Sequence, residues 1–162
     1  MSLIRINVAE AYPSQKRLNR MKITISIICG LLTLLWAYAA FSKLLSYHDF
    51  LIQLKRQPLP TWSISGLAVG LPIFELLIAF LLCGNYTKKA GLWLSSVLMI
   101  CFTGYVALAL SGAFGSIPCS CGGILSRMGW QTHLIFNIVY TILALFGLWT
   151  FNRYKKLNIH AK

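Results

Sequence analysis

Two cysteines one residue apart, Cys119 and Cys121, lie in the stretch Pro118-Cys119-Ser120-Cys121-Gly122-Gly123. A disulfide closed across so short a loop makes a small, strained ring, and strained, exposed disulfides are oxidising and readily exchanged. Gly122 and Gly123 let the backbone turn sharply and leave the sulfurs open to attack. The chemistry this supports is thiol–disulfide exchange. A partner's thiolate attacks one sulfur, a mixed disulfide forms, and the partner leaves oxidised. Cys119, next to Pro118, is our choice for the sulfur attacked first. Two other readings stand beside exchange: a static local disulfide, and a reduced pair with no role. Cross-linking so short a loop gains little chain entropy, which speaks against a staple. Two thiolates also suit Zn or Cu(I), but no third ligand stands at a conventional spacing, so no metal site is expected.

Other polar residues interrupt apolar runs. Glu75 sits within Leu71-Pro72-Ile73-Phe74-Glu75-Leu76. An ionisable group there is expensive and should face a protein interior, either as a functional proton site or as a protonated group making one interhelical hydrogen bond. Pro72 frees a backbone carbonyl close by. Lys43 stands near the end of the preceding apolar run, where snorkelling to the headgroups is the simplest expectation. Glu75 should lie about 15 Å deep at helical rise. A direct pair would need Lys43 to turn inward and its helix to sit deeper. His133, Asn137 and Tyr140 share one helical face at i, i+4, i+7, just after the cysteine loop. Such a stripe could hold a quinone headgroup or move protons, and His suits the latter. Interhelical hydrogen bonding is the alternative, and the preferred one for Asn137 and Tyr140. Lys43, Glu75, His133 and Asn137 are therefore the candidate quinone or proton site. Cys29, Cys83 and Cys101 read as small apolar residues without a role. Gly66 and Gly70 form a small-xxx-small pair that favours close helix packing within a bundle.

The elements that must position these residues are transmembrane helices. Of 162 residues, 57% are hydrophobic and 11% charged, with Glu10, Asp49 and Glu75 the only acids, and mean hydropathy is +0.70. A soluble domain has roughly 25% charged residues. Four apolar runs, about 23–45, 64–82, 92–110 and 134–151, each approach the roughly 20 residues that cross a hydrocarbon core about 30 Å thick. Trp62, Trp93, Trp130 and Trp149 lie near their ends, as in an aromatic belt. Between the first two runs, Phe50, Leu51 and Leu54 recur at helical spacing opposite Asp49, Lys55 and Arg56. This predicts a short amphipathic helix on the bilayer surface, closed by Pro58 and Pro60. The expected fold class is all-α, a polytopic four-helix membrane bundle. Residues 1–22 and 152–162 are basic tails, and the loop 111–130 carries the Cys-x-Cys pair.

The net charge of +12 does not point to nucleic acid, because the basic residues cluster at the ends of apolar runs. It fits membrane topology and anionic lipid contact. With the N-terminus inside, the inner side holds Arg5, Lys16, Arg17, Arg20, Lys22, Lys88, Lys89, Arg153, Lys155, Lys156 and Lys162, eleven of the fifteen Lys and Arg. Lys43, Lys55, Arg56 and Arg127 fall outside. The expectation is a bacterial inner-membrane protein, N-in and C-in, with the cysteine loop in the disulfide-permissive periplasm.

Four spans, Phe41-Ser42-Lys43-Leu44 closing the first, a Glu in the second and Cys119-Ser120-Cys121-Gly122 between the third and fourth together resemble the MauE/DoxX-type redox-associated membrane proteins. The resemblance covers roughly residues 23–150. It implies an architecture similar to the vitamin K epoxide reductase and DsbB-type bundles, which pass electrons between protein thiols outside the membrane and quinone within it. It also implies that Cys119 and Cys121 are the redox pair and that Lys43 and Glu75 match the family's buried charged positions. This chain departs from those bundles in having no second periplasmic cysteine pair and in opening its last helix on Thr132-His133 instead of an Arg-Asn-type start. A periplasmic partner with a thioredoxin-like domain, or another cysteine-containing protein, would then supply the other dithiol. The rival reading is a non-enzymatic accessory or scaffold subunit of a larger envelope complex. A lipid or small-molecule carrier with Glu75 as proton site is a third.

Overall fold

A computed structural model describes residues 14–57, 59–112 and 129–160, and all regular structure among them is helical. Helix α1 spans Gln15–Leu45, α2 Tyr47–Lys55, α3 Thr61–Cys83, α4 Lys88–Leu110 and α5 Trp130–His160. All but α2 are long and apolar enough to cross a membrane. In lipid a helix satisfies its backbone polar groups internally, which is why this composition resolves into helices. The protein is thus a multi-pass membrane bundle with a short helix between the first two spans.

Helices α1 and α5 have 31 residues each, about 46 Å at helical rise and longer than a hydrocarbon core of about 30 Å. They run past the apolar stretches into the basic segments that hold Arg17 and Arg20 at one terminus and Arg153, Lys155 and Lys156 at the other. There the backbone stays helical through charged residues, because Leu18 is buried and Tyr154 packs on the core. The shorter α3 and α4 join through the turn 84–87. Thr87 closes it by donating its hydroxyl to the Leu81 carbonyl at 2.7 Å. At the other end of α4, Gly112 takes a φ of +77°, the left-handed conformation that ends a helix cheaply only with glycine.

The main core joins Ile25, Ile28, Leu32 and Trp36 of α1 to Ile78 and Leu82 of α3, Leu92 and Met99 of α4, and Ala144 of α5. Lipid offers helices no hydrophobic drive to associate, so packing and interhelical hydrogen bonds hold the bundle. Among them are two between neutral side chains of the spans. Trp36 Nε1 donates to Ser95 Oγ at 2.7 Å, and the hydroxyls of Thr103 and Thr141 meet at 2.8 Å.

Close packing falls on glycines other than the expected pair. A Cβ on Gly91 would lie 2.9 Å from the Leu82 backbone nitrogen, and one on Gly147 2.8 Å from Ile28 Cγ2. Gly66 and Gly70 are exposed, with open space where a Cβ would stand. Their spacing is right for a helix contact, but they lie on the face of α3 turned away from the bundle.

The short helix stands where expected, between the first two spans, and differs only in what its apolar face meets. Helix α2 buries Phe50 and Leu54 against Ile64 and Ala68 of α3. Its apolar face rests on protein, not on lipid. It turns back directly from α1 at Ser46, whose N–H bonds the Ser42 carbonyl at 3.2 Å, and covers the last turn of α1.

Candidate functional site

That arrangement decides where Lys43 goes. Lys43 lies in the last turn of α1, while Glu75 lies about 21 Å along α3 from Thr61 at helical rise. The early turns of α3 therefore extend past the end of α1, and α2 fills the step. Lys43 is thus held within the bundle and does not snorkel. Its Nζ donates to Glu75 Oε1 at 2.8 Å, Glu75 Oε2 at 3.1 Å and the Ala39 carbonyl at 3.2 Å. The two side chains are 4% and 1% exposed. Three acceptors match the three N–H groups of an ammonium, and the Phe50 ring centroid lies 5.8 Å from Nζ. Helices ending level with one another would hold these two residues at different depths. The step that α2 fills brings them level.

The ion pair forms part of the wall of a cavity of about 310 Å³. His133 and Asn137 of α5 line the same cavity, and both are buried. Thus the structure brings together Lys43, Glu75, His133 and Asn137, drawn from three helices. Asn137 donates one amide N–H to the His133 carbonyl at 3.1 Å. Tyr140 does not line the cavity. It packs at the edge of the core with its ring 4.7 Å from Phe136. The rest of the wall is chiefly apolar, from Leu35 and Trp36 to Leu71 and Phe102. Small-molecule sites are typically apolar pockets of this kind, of about 300–1,000 Å³, with a few placed polar groups.

Three further residues line the cavity, two of which, Gln57 and Tyr105, carry no sequence expectation, while the third is expected to be a small apolar residue without a role. Gln57, just after α2, accepts a hydrogen bond from the Tyr105 hydroxyl of α4, and both line the cavity. This bond ties the segment just after α2 to α4. The third is Cys101 of α4, which lines the cavity and is also exposed. Gln57 precedes Pro58 and Tyr105 follows Gly104, and no periodicity relates them, so their meeting is visible only in three dimensions. Cys29 is buried and Cys83 exposed, as free thiols. Among the described residues no cluster of His, Cys, Asp and Glu could hold a metal. Cys119 and Cys121 lie outside the described residues.

A chain with these spans and a buried ion pair beside an internal cavity is, by class, a polytopic four-helix membrane protein with a site inside the bundle. The family model described as "Methylamine utilisation protein MauE" matches residues 21–150, and the chain belongs to that family. No curated protein and no solved structure gives a significant match.

Proposed function

We propose that this protein is a membrane component of thiol–disulfide exchange that serves methylamine utilisation, the process for which its family is named. In this reading it sits in a bacterial inner membrane with both termini inside. A periplasmic partner, thioredoxin-like or otherwise cysteine-containing, reduces the Cys119–Cys121 disulfide. Two partner thiols become a disulfide, and two thiols form on this chain. The observation that carries the reading is the gathering of Lys43, Glu75, His133 and Asn137 in one cavity to which all five helices contribute, among them α4 and α5, the two helices that the cysteine-bearing segment joins in sequence. In sequence, residues 113–128 join α4 to α5, the helix that carries His133 and Asn137, so the dithiol and part of the cavity belong to neighbouring stretches of sequence.

A quinone is the cofactor this cavity suits. It would supply a two-electron, two-proton sink that returns the cysteines to the disulfide. The apolar walls match its ring and tail, and the Asn137 amide and His133 imidazole offer polar contacts at the head. The scaffold reading has one observation on its side, the exposed Gly66/Gly70 face of α3, which no described residue covers.

Trapping separates the two readings. With Cys119 or Cys121 singly replaced by Ser, the remaining thiolate attacks the disulfide of the oxidised partner, one partner sulfur leaves as thiolate, and with no second sulfur on this chain to complete the exchange the mixed disulfide accumulates. We expect a reducible adduct on one single variant and none on the double variant. Absence of any adduct from both single variants, with the protein normally inserted, would favour the scaffold.

A further inference from the structure

The cavity reaches the outside of the bundle on one side. Of the residues that wall it, Leu67 of α3 and Cys101 of α4 are exposed. They fall at similar depth, because α3 and α4 run antiparallel from the turn 84–87. On α4, Leu98, Cys101, Phe102 and Tyr105 line the cavity. The opposite flank of α4 is occupied by Thr103 bonding Thr141 of α5. The opening therefore lies between α3 and α4, within the apolar span of both helices, where a membrane protein meets acyl chains. Gly66, Gly70 and Gly104 leave open space nearby on the same two helices.

The polar end of the cavity is specific. All three donors of Lys43 are engaged by Glu75 and Ala39. Asn137 is 6% exposed and uses one N–H on the His133 carbonyl. Its second N–H and its Oδ1 have no partner among the described residues. A buried amide with a spare donor and a spare acceptor is an anchor for a group that can be either carbonyl or hydroxyl.

We propose that the cavity takes its ligand from the bilayer through a portal between Leu67 and Cys101, and that the ligand is a neutral amphiphile. Its flat, carbonyl-bearing head rests on Asn137, and its apolar tail leaves past Cys101. This deepens the quinone reading above, since a tailed quinone is such a molecule, but the binding does not depend on Cys119 and Cys121.

Cys101 is its own reporter. The full chain carrying Cys119→Ser and Cys121→Ser, in native membranes, is treated with N-ethylmaleimide with and without decylubiquinone, whose fully substituted ring leaves no position for thiol addition. Labelling of the Cys101 and Cys83 peptides is then followed by mass spectrometry. At a probe concentration about ten times its Kd, Cys101 labelling should slow by about tenfold, while Cys83 labelling is unchanged. Asn137→Leu should remove the protection. Leu67→Trp, which fills the portal without touching the head site, should slow labelling of Cys101 even without probe. Unchanged Cys101 labelling with decylubiquinone overturns the proposal. Equal protection by decane, which has the tail alone, overturns the head-group assignment. Because both loop cysteines are absent here, failure of this test leaves partner trapping untouched, and failure of trapping leaves this test untouched.

Discussion

Replacing Lys43 or Glu75 alone by Ala should destabilise the bundle by about 3–5 kcal/mol, and replacing both, as Lys43→Met with Glu75→Leu, should restore most of the loss. The two side chains are almost wholly buried, and their oxygen and nitrogen atoms satisfy each other at 2.8 and 3.1 Å. Removing one partner leaves the other charge in a low-dielectric interior with no counter-ion. Removing both leaves an apolar surface of similar volume, which is often neutral or more stable by about 1–4 kcal/mol. Thermal aggregation of detergent-solubilised protein, followed by size-exclusion chromatography, measures this directly. The double variant should elute with the native protein after heating that removes either single variant. If all three behave as the native protein, the pair does not hold α1 to α3. A restored double variant that no longer supports function would show that the buried charges serve the cavity as well as the fold.

Replacing Cys119 and Cys121 together by Ser should abolish thiol exchange while leaving insertion and stability unchanged. Oxygen for sulfur preserves size and removes only the ability to form the bond. The cross-link closes too short a loop to stabilise the chain appreciably, so the helices should not register its loss. The measurement pairs membrane abundance with growth on methylamine as nitrogen source. Normal abundance with failed growth is the outcome expected of an exchange site. Normal abundance with normal growth would assign the protein to assembly instead.

Much of the architecture was legible because it depends on single-chain properties. Each span announces itself as an apolar run, and α2 as the alternation of Phe50, Leu51 and Leu54 with charged neighbours. Glu75, His133 and Asn137 were legible as candidates because polar groups in an apolar run must face an interior. What sequence spacing did not contain was the relative depth of the helices. That depth follows from α2 folding back onto Ile64 and Ala68, a contact that lowers the end of α1 beside Glu75 and turns an expected snorkelling lysine into half of an ion pair. The glycines make the same point from the other side. Gly66 and Gly70 carry a recognised spacing but face outward, whereas Gly91 and Gly147, with no motif, are where neighbours press close. Cys101 was unremarkable in sequence because its significance rests on the gap between α3 and α4.

The most direct test of the exchange reading is the redox state of Cys119 and Cys121 in native membranes. Membranes are equilibrated across glutathione buffers spanning about −320 to −180 mV, quenched in acid and analysed by differential alkylation and mass spectrometry. The account predicts that the pair titrates reversibly as a two-electron couple within that window. A pair that stays fully oxidised or fully reduced throughout would contradict an exchange site.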